Sequence, residues 1–136
     1  MTTLSKKILV VDDEESIREI MEINLVKLGY DPEFAKNAKE ALEILENEKF
    51  PLIITDLRMP EMDGIELCAR IRERTSETLI YAFSGGFTEV DSDQLEKMGF
   101  DGFLSKPIKF EVLERAIEGA FEKIDERKGK AVNSPF

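Results

Sequence analysis

The chain is 136 residues long, enough for one domain, and its 29 acidic against 19 basic residues give a net charge of -10. That excess of carboxylates excludes a nucleic-acid surface built on clustered lysine and arginine. The absence of histidine excludes, within this chain, a histidine-ligated metal, a Ser/His/Asp triad and a phosphohistidine carrier.

The amino terminus carries Lys6 and Lys7 but reaches only a short apolar run, residues 8–11, too short for a signal peptide or a membrane span. Ile8, Leu9, Val10 and Val11 read as a strand buried on both faces, and it ends on Asp12, Asp13, Glu14 and Glu15. From Ser16 the pattern turns helical. Ile17, Ile20, Met21, Leu25 and Leu28 predict one apolar face, stopped by Gly29. Residues 30–35 form a strand candidate that Pro32 confines to a sheet edge, because proline cannot donate to a ladder. Asn37 suits the cap of a second helix whose apolar face is Ala38, Ala41, Leu42 and Leu45.

Leu52, Ile53 and Ile54 predict the central strand, which ends on Asp56 and gives way to a loop through Met59-Pro60 and Asp63-Gly64. Ile65, Leu67, Cys68, Ile71 and Arg72 continue as a third helix with a mixed face. Cys68, the only cysteine, cannot form an intramolecular disulfide; it points to a reducing, cytoplasmic setting and reads as a small apolar helix residue. Residues 79–83 make a fourth strand that runs into Ser84-Gly85-Gly86, whose glycines predict a mobile loop. Residues 88–98 form an acidic helix with only Val90, Leu95 and Met98 to bury. Gly99 closes it, and residues 100–105 are a short last strand leading to Lys106-Pro107. Phe110, Leu113, Ala116, Ile117, Phe121 and Ile124 make the strongest helical stripe. From Asp125 the chain is polar and loses its period, so residues 1–124 are expected to form the domain and residues 125–136 a frayed, flexible tail.

Five strands alternating with five helices predict an α/β domain with helices on both faces of a doubly wound five-stranded parallel sheet. Right-handed crossovers and the Pro32 edge favour the flavodoxin-like order 2-1-3-4-5. In that order the first, third, fourth and fifth strands are neighbours about 4.8 Å apart. Their carboxyl ends, where sites form in such sheets, bring together Asp12, Asp13, Asp56, Ser84 and Lys106. Each alone has a plainer reading: Asp12 and Asp13 as helix caps, Asp56 and Ser84 as turn formers, Lys106 as a solvated lysine. Together, three crowded carboxylates call for a cation, and Mg²⁺ typically takes a few carboxylates, waters and a substrate phosphate. A carboxylate nucleophile, a metal, a lysine and a hydroxyl suit phosphoryl transfer onto Asp56.

Val11-Asp12-Asp13-Glu14, Asp56-Leu57-Arg58-Met59-Pro60 with Asp63-Gly64, Ser84-Gly85 and Lys106-Pro107, in this order, resemble the receiver domain of two-component response regulators over residues 6–124. The resemblance implies that Asp56 is the phosphoacceptor. It implies that Asp13, with Asp12 acting through water, Asp56 and the backbone carbonyl of Arg58 hold Mg²⁺ or Mn²⁺. Ser84 and Lys106 would bind the phosphoryl group, and the Lys106-Pro107 bond would be cis as in many relatives. Phe103, three before the lysine, matches a switch aromatic that turns inward on phosphorylation, or it is plain core. Gly86 offers no side chain to aid an attacking water, which implies slow self-dephosphorylation unassisted by that position.

The implied function is a phosphorylation-controlled switch and not a turnover enzyme. A sensor histidine kinase or histidine phosphotransfer protein donates, and the face of the fourth helix, last strand and last helix regulates an unnamed protein, with a phosphorylation-linked dimer as one output. No nucleic acid or membrane is expected as a partner. The alternative is a binding module that uses the same face without phosphate. An aspartyl phosphatase would need a second acid two positions after Asp56, where Arg58 stands. A flavin carrier would need phosphate-binding donors at residues 12–15, and an EF-hand at residues 56–66 fails on ligand spacing. With no output segment after Ile124, the chain is expected to be a stand-alone or an excised receiver.

Overall fold

The apolar runs that begin the sequence pattern form the middle of the sheet in the computed structural model, which describes residues 5–85 and 92–133. The elements are β1 (Lys7–Val11), α1 (Glu15–Lys27), β2 (Asp31–Ala35), α2 (Ala38–Asn47), β3 (Leu52–Asp56), α3 (Gly64–Arg74), β4 (Leu79–Gly85), α4 (Ser92–Lys97), β5 (Gly102–Lys106) and α5 (Phe110–Asn133). All strand pairs are parallel, in the order β2-β1-β3-β4-β5. This is the flavodoxin-like arrangement expected from the sequence. Pro32 sits on β2, which among the described residues pairs with β1 alone and so forms an edge of the sheet.

Because successive strand residues face opposite ways, each inner strand feeds two cores. Leu9, Val11, Ile53, Ile80 and Ala82 pack against Ala38 and Ala41 of α2, Leu67, Cys68 and Ile71 of α3, and Leu95 of α4. Ile8, Val10, Leu52, Ile54 and Phe83 pack on the other face against Met21 and Leu25 of α1 and Leu113, Ile117 and Ile124 of α5. Every residue of β3 is buried, so its terminal Asp56 is an acid delivered by an apolar strand.

Local chemistry sets the helix ends. The side chain of Asn37 accepts the Glu40 N–H at 2.8 Å, and that of Asp63 accepts the Glu66 N–H at 2.8 Å. Gly29, at φ 91, ends α1: its N–H donates to Val26 O and the Tyr30 N–H to Leu25 O, the paired bonds of a Schellman cap.

Four expectations need correction. Ile20 does not share the α1 core face; it is 50% exposed, because it lies about 100° around the helix from Met21. β4 runs through Ser84 to Gly85, and β5 begins at Gly102, so the strand boundaries move toward the site. The last helix does not stop at Ile124, since α5 continues to Asn133. Glu126, Arg127 and Lys128 are strong helix formers, and extending an established helix adds one bond per residue ordered. Phe103 is not plain core, being 38% exposed on the edge strand β5. The start predicted for the fourth helix, residues 88–91, and the Gly86 position lie outside the described residues, as do residues 134–136 of the expected tail.

Candidate functional site

Asp12 follows β1 directly and is fully buried. Its N–H donates to Ala35 O at 3.1 Å, and its Oδ1 accepts the Glu14 N–H at 2.9 Å. Asp13, next along, is exposed. Asp56 closes β3 with 5% of its surface exposed. The Arg58 N–H donates to Asp56 Oδ1 at 3.1 Å, folding the loop back over the acid and bringing the Arg58 peptide beside it. Carboxylate oxygens of Asp12, Asp13 and Asp56 all lie within 4.8 Å of one another.

Lys106, at the end of β5, reaches across the strand ends to this cluster. Its Nζ donates to Asp56 Oδ2 at 3.2 Å and stands 2.7 Å from Asp12 Oδ2. Asp56 pairs with Phe83 across β3 and β4, so the buried Ser84 stands one residue beyond it on the neighbouring strand, and Ser84 in turn pairs with Ser105. The fold thus brings Asp12, Asp13, Asp56 and Lys106 together and sets Ser84 at the neighbouring strand end. The Lys106-Pro107 peptide is cis.

Burial pushes the Asp56 carboxyl above the usual carboxylate range. The Arg58 N–H and Lys106 pull against this, and the Asp12 charge adds to the rise. Lys106 is disfavoured as an ammonium by burial, but the Asp12 and Asp56 carboxylates outweigh that and hold its pKa above the ordinary lysine value. The lysine therefore stays charged and offsets part of the repulsion among three acids.

Among the described residues the buried Asp12 Oδ2 has the Lys106 ammonium 2.7 Å away, and Asp56 shares that same lysine. Three carboxylates within 4.8 Å of one another with a single lysine between them fit a hard divalent cation with oxygen ligands. Asp12, Asp13 and Asp56 are the residues that would hold it.

Of two further residues at the site, Arg18 lies outside the motifs read from the sequence, and Gly64 lies within one whose wording does not state its packing role. Arg18, at the close of the first turn of α1, donates through Nη1 to the Asp12 main-chain oxygen at 2.7 Å. The signal for it is faint: it is the first base after the acid run 12–15. Gly64, at the start of α3, donates its N–H to Leu57 O at 3.1 Å and lies against the Asp56 backbone. Phe103 sits apart from the acids and lines a cavity of about 410 Å³ with Leu95, Phe100, Gly102, Lys123 and Arg127.

Comparison with known proteins agrees with this geometry. The sequence pattern of the family described as response regulator receiver domain matches residues 8–118. The alkaline phosphatase synthesis transcriptional regulatory protein PhoP of Bacillus subtilis is 39% identical over 104 residues, which cover 76% of this chain and 43% of that protein. The response regulator protein PilR of Pseudomonas aeruginosa is 38% identical over 103 residues, covering 76% of this chain and 23% of that protein. This chain therefore spans less than half the length of either relative. The crystal structure of a response regulator receiver domain protein from Clostridium thermocellum superposes with a TM-score of 0.81 at 29% identity, covering 92% of this chain and 98% of that one. With its acids, lysine and hydroxyl gathered at the strand ends of the same fold, the chain belongs to the response regulator receiver domain family.

Proposed function

We propose that Asp56 accepts a phosphoryl group from a sensor histidine kinase or a histidine phosphotransfer protein, and that the change alters the face of α4, β5 and α5 to regulate a partner protein. The observation that carries this is a nearly buried acid at the end of β3, ion-paired to Lys106 and within 4.8 Å of two more carboxylates. An Asp56 oxygen forms the new O–P bond as the donor's P–N bond breaks, the electron pair staying on the imidazole. The Arg58 N–H on Oδ1 holds the carboxylate for this attack.

Asp12, Asp13, Asp56 and the backbone carbonyl of Arg58 are the proposed holders of Mg²⁺ or Mn²⁺, which when bound supplies the positive charge that lets phosphoryl oxygens approach three acids. Lys106 and Ser84 then take the phosphoryl oxygens, and Phe103 turns inward as the switch. Gly86, lacking a side chain, gives no help to an attacking water, so the phosphoryl group is lost slowly and the domain works as a signal carrier. Among the described residues no helix is long and apolar enough to cross a membrane; the cytoplasm is the proposed location, with a phosphorylation-linked dimer as one output.

Incubation with Mg²⁺ and acetyl phosphate, read by intact mass, tests the proposal. Wild type gains one phosphoryl group and Asp56→Asn gains none. Equal gain by both overturns the assignment of Asp56, and no gain by wild type favours a module that binds its partner without phosphate.

A further inference from the structure

We propose that Arg18 is a positioning residue for the acid cluster: by holding the Asp12 carbonyl, its guanidinium sets where the Asp13 carboxylate stands relative to Asp56. The inference rests on the metal-site reading and adds to it a residue outside the acid set. Asp12 is anchored on its strand side, where its N–H meets Ala35 O at 3.1 Å, and through its side chain, where Oδ1 accepts the Glu14 N–H at 2.9 Å. Its carbonyl is the third tether, taken by Arg18 Nη1 at 2.7 Å. That carbonyl belongs to the rigid peptide plane joining Asp12 to Asp13. Fixing its oxygen fixes the rotation of the plane from which Asp13 departs.

The start of α1 needs such a tether. Asn37 and Asp63 cap α2 and α3 through their side chains, whereas Glu14 at the same position of α1 makes no side-chain cap bond. Arg18 reaches back from the close of the first turn and ties the β1 to α1 loop to the helix in another way, by donating to the Asp12 carbonyl and not by accepting a helix N–H. A hydrogen bond from a charged donor is also among the stronger kinds available. Asp13 is the exposed member of the acid set, so it relies most on its backbone for placement.

Geometry and charge predict opposite signs, which makes the inference testable. Arg18 is a cation beside a cation site, so if it acted by charge alone its removal would tighten Mg²⁺ binding. If it positions Asp13, its removal weakens binding; outer partners of metal ligands are worth about tenfold in affinity. The experiment is calorimetric titration of the metal-free protein with MgCl₂, for wild type, Arg18→Met, Arg18→Lys and, as control, Arg70→Met, whose guanidinium pairs with Glu66 on the α3 surface.

The expected result is about a tenfold rise in Kd for Arg18→Met, partial rescue by lysine, and no change for Arg70→Met. Unchanged or tighter binding by Arg18→Met overturns the inference while leaving the metal site standing. Should Arg18→Met fail to fold, Arg18→Gln, neutral and too short to span the gap, is held to the same outcomes. Wild type that takes up no Mg²⁺ overturns the metal-site reading, and this inference with it.

Discussion

Gly64 is packed against the backbone of Asp56 so closely that a Cβ on it would collide with the Asp56 carbonyl oxygen, and would stand 2.9 Å from the carbonyl carbon and 3.0 Å from Leu57 Cα. The obstacle is main chain, which cannot swing aside as a side chain can. Gly64→Ala must therefore push α3 away from the end of β3. The expected cost is about 3 kcal/mol, at the upper end of overpacking, together with slower phosphorylation because Asp56 moves. Thermal unfolding and the acetyl phosphate rate measure the two effects, and an unchanged Tm refutes the argument.

Lys106→Met leaves Asp12 and Asp56 facing each other without their shared cation. Removing one partner of a largely buried ion pair costs about 3 kcal/mol, to be read as a lower Tm in EDTA. Because Asp12 and Asp56 hold the Lys106 pKa above the ordinary value of 10.5 despite burial, the ammonium's contribution is fully present below that value and lost only as pH rises through the raised one. The lysine's own titration therefore adds no pH dependence to the deficit across neutral pH. A cation in the acid cluster takes over the lysine's role, so Mg²⁺ raises the Tm of Lys106→Met more than that of wild type. An equal Mg²⁺ effect on both proteins contradicts this.

The strands and the acid cluster were legible because burial and charge conflict there. Residues that fill β1 and β3 are apolar up to the position where an acid ends each strand, and no packing argument needs Asp56 in that place. Pro32 marked the edge by chemistry that is local to one residue. What was not legible depends on distance in space. Arg18 meets a carbonyl six residues back, and Gly64 matters only through what its missing Cβ would strike. Arg72 looked like one residue of a mixed helix face. It in fact binds Thr78 O at 2.6 Å, Gly99 O at 2.7 Å and Asp101 Oδ2 at 2.7 Å, joining α3 to the residue before β4 and to the segment between α4 and β5. A three-to-four repeat does not say how wide the buried stripe is, and Ile20 falls outside it.

Cys68 lies wholly within the core, its Sγ 3.6 Å from Met98 O. Burial pushes the thiol up to about 11, Arg72 working against the shift and Asp101 with it. Below the ordinary value of 9.0 the thiol keeps its proton whether folded or unfolded; above it the unfolded chain ionises first, and stability falls as pH rises toward 11. At pH 8 iodoacetamide should leave the native protein unmodified and alkylate it once denatured. Alkylation of native protein at the denatured rate would refute this.

Phe103 pairs with Ala82 across β4 and β5, and Ser84 pairs with Ser105. Side chains two apart on a strand share a face, so Phe103, Ala82 and Ser84 all lie on the α4 side of the sheet. Alanine beside Phe103 offers little bulk to oppose an inward turn of the ring, and Ser84 occupies the next place along that path toward the site. If Ser84 is drawn toward a phosphoryl group on Asp56, space opens where the ring would go. Phe103 is 38% exposed in the present structure, so an inward turn would take the ring out of water. The chain has no tryptophan, so Phe103→Trp creates a single reporter. Beryllofluoride with Mg²⁺ should shift its emission to the blue as the ring leaves water, and the same addition to Asp56→Asn carrying the reporter should do nothing. A reporter that stays solvent-exposed in the beryllofluoride-bound protein removes Phe103 from the switch and leaves it as an edge-strand residue lining the cavity beside α4.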